Sequence, residues 1–223
     1  MNKLTEYLEQ YALLSLEKQD KLALLLGDHT YVLDLDSGKI RFNYNHEFTF
    51  QVLGTESDNT LIWLWAWADE QTEEVPMELL RSSRELREWG IREGIQEFTR
   101  PSIDLDKADG HVLSMIASGV VRASCYHRDA YEGGSAFLLI NDRLIDAQPS
   151  FDLSRLSRRF LDLISRYELN HRTVLLSYLR MRGLSLSDKG STITSDLESG
   201  ERLSAEFDDS GHLILLNGET IVP

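Results

Sequence analysis

Apolar residues in the first 26 positions recur at steps of three and four: Leu4, Leu8, Tyr11 and Leu14, followed by Leu22 to Leu26. That spacing predicts one amphipathic helix, and Gly27 sits where a helix commonly ends in a left-handed residue. From Tyr31 the period changes to two. Tyr31, Leu33 and Leu35 alternate with Val32, Asp34 and Asp36, and Ile40 and Phe42 resume the alternation after Asp36-Ser37-Gly38. Two alternating runs around a short Gly-containing loop predict a β-hairpin. A third strand over Phe48 to Leu53 and a fourth over Leu61 to Trp67 extend it to an antiparallel meander of about four strands.

Two helical patterns follow. Pro76 suits a first helical turn, and Leu79, Leu80, Leu86 and Trp89 give the helix its apolar face before Gly90 or Gly94 ends it. The acidic run Asp69, Glu70, Glu73 and Glu74 reads as a solvated entry to this helix, favoured by the helix dipole. Leu105 to Ser118 predicts a second helix with Leu113 and Ile116 inward, weakened at Gly110 by about 1 kcal/mol relative to alanine. Val120 to His127 and Ala136 to Ile140 predict a hairpin across Tyr131-Glu132-Gly133-Gly134. Gln148-Pro149-Ser150 reads as a boundary.

Beyond it, Phe151, Leu153, Leu156, Phe160, Leu163 and Ile164 mark one helix. Val174, Leu175, Tyr178 and Leu179 mark another, ended by Gly183. Four short strands follow, separated by Asp188-Lys189-Gly190, Glu198-Ser199-Gly200 and Asp208-Asp209-Ser210-Gly211, a repeated hairpin signal. The fold class is therefore α+β. An antiparallel β-meander with covering helices spans 1–148, and a C-terminal helical pair with a second β-meander spans 149–223.

Charge narrows the function classes. The 23 basic and 37 acidic side chains leave a net −14, which repels phosphate and argues against nucleic-acid binding. Seven arginines, Arg155, Arg158, Arg159, Arg166, Arg172, Arg180 and Arg182, make the C-terminal helices a local basic exception. They suit docking onto the acidic part of the same chain or of a second copy, and so a homo-oligomer. One cysteine, Cys125, allows no internal disulfide and fits a reducing compartment. Glu6 and Glu9 interrupt any signal-peptide core, and no apolar run approaches the roughly 20 residues of a spanning helix. The expectation is a cytoplasmic protein without a membrane anchor.

Candidate chemistry is sparse. On a regular strand Trp63, Trp65 and Trp67 share one face and Ile62, Leu64 and Ala66 the other. With both faces apolar, the strand reads as central and covered on both sides. The indole row reads either as core packing or as the wall of a ligand pocket, since three indole N–H groups need partners. Cys125, His127 and Asp129 also alternate along one face. A nucleophilic thiol wants a base at hydrogen-bond reach, whereas positions i and i+2 of a strand lie about 6.6 Å apart. The same spacing supplies two metal ligands at most, and the remaining histidines are scattered, so neither metal nor cofactor is expected. Gly133-Gly134 lacks the residues of a phosphate loop and reads as a turn.

The stretch Phe50-Gln51-Val52-Leu53-Gly54-Thr55, the Trp-Leu-Trp-Ala-Trp-Ala core of Thr60 to Ala68, and Ala123 to Arg128 together resemble an uncharacterised bacterial family of unknown function. The resemblance covers about residues 1–148. It implies a bacterial, cytosolic α+β domain and carries over no activity and no site residue. The leading expectation is a non-enzymatic, acidic interaction module, inhibitor- or immunity-like, facing a protein partner of basic surface. The alternatives are a small-molecule binder walled by Trp63, Trp65 and Trp67, and a hydrolase dependent on Cys125 and His127.

Overall fold

A computed structural model describes residues 2–43, 45–68 and 75–221. The acidic run at Asp69, Glu70, Glu73 and Glu74 lies outside the described residues. The chain is α+β, with its strands in antiparallel sheets. It divides into two compact units, Lys18–Gln148 and Met1–Glu17 with Pro149–Pro223, so the first helix, α1 (Lys3–Leu26), contributes to both. No helix among the described residues is long and apolar enough to cross a membrane.

In the larger unit, β1 (Tyr31–Asp34), β2 (Lys39–Phe42), β3 (His46–Ser57) and β4 (Ile62–Trp65) form the expected meander. The sheet is completed by β5 (Ser102–Asp104) beside β4, and by the hairpin of β6 (Cys125–Tyr131) and β7 (Gly134–Ile140), of which β7 pairs with β3. A bulge at Leu53 interrupts β3: Val52 faces Leu138, and Gly54, not Leu53, faces Phe137. An extra residue shifts every later side chain to the opposite face. Phe48, Phe50 and Val52 therefore share one face with Leu138 and Ile140, while Gly54 and Glu56 share the other with Phe137. The first face carries the core of Phe42, Phe48, Phe50, Val52, Cys125, Leu138 and Ile140, closed by Leu22 and Leu26 of α1. The second carries Trp63, Trp65 and Phe137.

Three expectations need correction here. The helix expected over Leu105 to Ser118 is α3 (Gly110–Val120), preceded by β5 and a turn. Asp109 caps it by accepting the Val112 N–H, so Gly110 opens the helix instead of weakening its middle. The strand expected from Val120 begins only at Cys125, because α3 runs on to Val120 and Arg122 turns the chain with φ of +56°. The strand at the indole row stops at Trp65, where Ala68 N–H bonds back to Trp65 O, so Trp67 leaves the shared face. That strand has β3 and β5 as neighbours, but Ile62 and Leu64 on its other face are only half-buried. The remaining helices of this unit are α2 (Arg81–Glu93), entered through a 3-10 turn at Met77–Leu80, and α4 (Arg143–Asp146).

The smaller unit holds α5 (Leu153–Arg166) and α6 (His171–Met181), capped by Asp152 and Asn170. The meander β8 (Ser185–Lys189), β9 (Thr192–Asp196), β10 (Glu201–Phe207) and β11 (Leu213–Thr220) follows. Its three turns carry Gly190, Gly200 and Gly211 at positive φ, the conformation that the repeated Gly predicted. Among the seven arginines, Arg155 pairs with Asp152, Arg166 with Asp162, Arg172 with Asp188, and Arg182 with Glu17 and Glu198, all within this unit. Glu17 is buried, accepts the Tyr178 hydroxyl and the Phe151 N–H, and lies 3.5 Å from the Arg182 guanidinium. Burial and the Glu17 carboxylate raise the Tyr178 phenol far above its ordinary value, so it remains a donor.

Candidate functional site

β6 places Cys125, His127 and Asp129 on one face, opposite Ile140, Leu138 and Ala136 of β7. Their surroundings differ steeply along the strand. Cys125 is fully buried in the apolar core, and burial pushes its thiol up to about 12, with Asp146 adding to the shift and Lys18 opposing it. A thiol held neutral and away from solvent is a poor nucleophile. His127 packs edge-on between Tyr31 (ring centroids 4.6 Å) and Phe42 (5.3 Å). Burial lowers it to about 4, against a smaller upward pull from Asp129, so it is neutral at pH 7. Its Nε2 is buried without a protein partner. Asp129 accepts a hydrogen bond from the Tyr31 hydroxyl at 2.7 Å. Burial, with that carboxylate, raises Tyr31 to about 12. The three residues thus lie in line but belong to different environments: an apolar core, an aromatic box and a phenol–carboxylate pair.

The indole row is likewise divided. Trp63 and Trp65 are fully buried and meet edge to face at 5.3 Å. Trp63 abuts Phe137 and Trp65 abuts Phe98. The Trp65 indole N–H donates to Glu97 O at 2.8 Å. Trp67 is half-buried beneath the Arg87 guanidinium, 4.4 Å from its ring centroid. A pocket wall needs exposed ring surface, and neither Trp63 nor Trp65 has any. Gly54 is what lets Trp63 in, since a Cβ there would stand 2.4 Å from the indole.

Sequence reasoning missed the polar cluster on the opposite face of the same hairpin. Glu56, nearly buried, accepts the Gly110 N–H at the start of α3 and lies 3.4 Å from Arg128. Beside them His111 Nδ1 and the Tyr126 hydroxyl are 3.0 Å apart. A carboxylate at a helix N-terminus satisfies an orphan donor and the helix dipole together, which is a structural duty. The strand expected over Phe48 to Leu53 leaves Glu56 in a connection, whereas β3 runs on to Ser57. Even a longer strand in strict alternation assigns Glu56 to the face of Phe50, because the bulge at Leu53 is not written in the pattern. Among the described residues no group of three or more His, Cys, Asp or Glu is placed to hold a metal ion.

The family model described as "Family of unknown function (DUF6882)" matches residues 5–143, more than half of the chain. The chain belongs to that family. The DUF6882 match takes in α1 from Thr5 onward and runs through the β6–β7 hairpin, so it covers the indole row, the Cys125 face and the Glu56 cluster. No curated protein and no solved structure matches the chain.

Proposed function

We propose that this DUF6882 chain is a non-enzymatic binding module that engages a protein partner of basic surface. The observation that carries the reading is the open edge of β1, which among the described residues pairs only with β2. Asn43 N–H bonds to Thr30 O, and antiparallel alternation from that pair turns the N–H and C=O of Tyr31 and Leu33 away from β2. Val32 is 60% exposed and Leu35 43%. Asp28, Asp34 and Asp36 flank the strand in sequence. Hydrogen bonds from the Ser37 hydroxyl and N–H hold the Asp34 carboxyl below the usual range, so it stays ionised at neutral pH. The nearby cations Lys39 and Arg41 are both occupied by Glu47. Unpaired backbone groups, exposed apolar side chains and marginal carboxylates suit an extended basic segment added as a further strand. The net −14 supplies long-range attraction.

The test is capture of a partner by wild type and by the double variant Val32→Glu, Leu35→Glu, which alters only exposed side chains. The expected partner is retained at low salt, released by about 0.5 M salt, and lost from the variant. A partner held equally by the variant, or one indifferent to salt, overturns the reading.

A further inference from the structure

A separate feature lies at the other end of the large sheet. A cavity of about 310 Å³ opens beside β5, lined by Gln96, Glu97, Arg100, Ser102, Asp104 and Lys107. The volume falls at the lower end of small-ligand sites. β5 is an edge strand, paired only with β4 among the described residues. Leu105 N–H bonds to Leu61 O and Trp65 N–H to Pro101 O, so Ile103 turns its backbone groups toward β4. By alternation Ser102 and Asp104 turn theirs to the open side.

The charges lining the cavity fall into two classes. Lys107 and Asp104 are 2.8 Å apart and neutralise each other. Arg100 donates to the Gln96 side-chain oxygen at 2.8 Å and has no carboxylate at ion-pair distance among the described residues. Glu97 accepts the Trp65 indole N–H through its backbone oxygen, and its carboxylate has no cation at that distance among the described residues. One guanidinium and one carboxylate are thus left open at a single cavity, next to unpaired strand-edge amides.

We propose that this cavity binds a small zwitterion carrying both a carboxylate and an ammonium group, a free amino acid or a dipeptide. Arg100 takes the ligand carboxylate in its planar fork, Glu97 takes the ammonium, and the open edge of β5 takes the ligand's backbone polar groups. The buried indole row then serves as a rigid support behind the site.

The Trp65 indole N–H supplies a local readout, because its acceptor belongs to a residue lining the cavity. The experiment follows the indole signals of the full chain by nitrogen–proton correlation spectroscopy. Free amino acids, glycylglycine, and the N-acetylated and C-amidated forms of each are titrated in turn. A saturable shift of the Trp65 signal by a zwitterion is expected, with affinity falling about tenfold or more in Arg100→Gln and in Glu97→Gln and on capping either ligand end. The core Trp63 signal stays in place, which shows that the variants remain folded. Preference for glycylglycine over free glycine assigns the dipeptide, and the reverse assigns the amino acid. The proposal is overturned by an absence of saturable shift up to about 10 mM, tenfold above a Kd of ~1 mM. Binding unaffected by both variants, or capped ligands binding as well as free ones, overturns it equally.

Discussion

Burial acts on Cys125 and His127 in opposite senses, because one ionises by losing a proton and the other by gaining one. Both end neutral at pH 7. For Cys125 the expected outcome is a thiol inert to a maleimide or disulfide reagent at pH 8 in the native chain and fully reactive in denaturant. Cys125→Ala should cost roughly 1–3 kcal/mol in a urea titration through the void it leaves. For His127 the folded value of about 4 lies below the unfolded value of 6.5, so the unfolded chain binds the extra proton between them. The contribution of the neutral imidazole is fully present above pH 6.5 and is lost as pH falls through that window toward 4, by about 3 kcal/mol at most. A His127→Phe chain should show a shallower fall of urea midpoint between pH 7 and pH 4.5 than wild type. An equal slope would mean that other groups govern the acid limb.

Elements here are held by their ends. α3 has Asp109 and Glu56 at its N-terminus, and at the other end Lys18 Nζ donates to Ser118 O in its last turn and to Ala123 O just beyond it at 2.6 Å. Charges of both signs thus match the helix dipole. Glu56→Leu should destabilise by roughly 1–3 kcal/mol, since it leaves the Gly110 N–H buried and unpaired, with faster exchange of the first α3 amides as the local signature. Gly110→Ala should cost a similar amount for another reason: its Cβ would come 2.4 Å from the Phe137 ring. The meanders, the helix pair and the glycine turns were legible in the chain because each is written in neighbouring residues. The start of α3 was not, since Asp109 and Leu105 both look like entrances, and only the long-range β5–β4 pairing selects between them. Cys125, His127 and Asp129 were read correctly as one face; that the same face passes from dry core to phenol–carboxylate pair depends on partners from β1 and β2, about 90 residues away in sequence.

At the level of the whole molecule, charge and tryptophan are unevenly placed. All four tryptophans, Trp63, Trp65, Trp67 and Trp89, belong to the larger unit, so intrinsic fluorescence reports on that unit while circular dichroism reports on both. In the smaller unit Glu17 holds Tyr178, Phe151 and Arg182. Glu17→Leu removes one partner of a buried pair, a loss of about 3–5 kcal/mol. The expected result is a thermal transition seen by circular dichroism that moves below the one seen by fluorescence; transitions that move together would show the two units unfolding as one. Excess negative charge also predicts a wild-type Tm that rises with added salt as like charges are screened.

The single surplus residue in β3 reaches further than its size suggests. Excising Leu53 would set Val52 directly before Gly54, whose partners Leu138 and Phe137 are already consecutive, and both halves of the strand would keep their faces. Pairing the strand without a bulge while Leu53 stayed in it would instead hand the Glu56 carboxylate to the oily side shared by Phe50 and Ile140 and leave the entrance of α3 without its anchor. Insertions and deletions are commonly absorbed by surface loops; here a surplus residue is absorbed in mid-strand, and the bulge that absorbs it keeps each half of the strand on its own core.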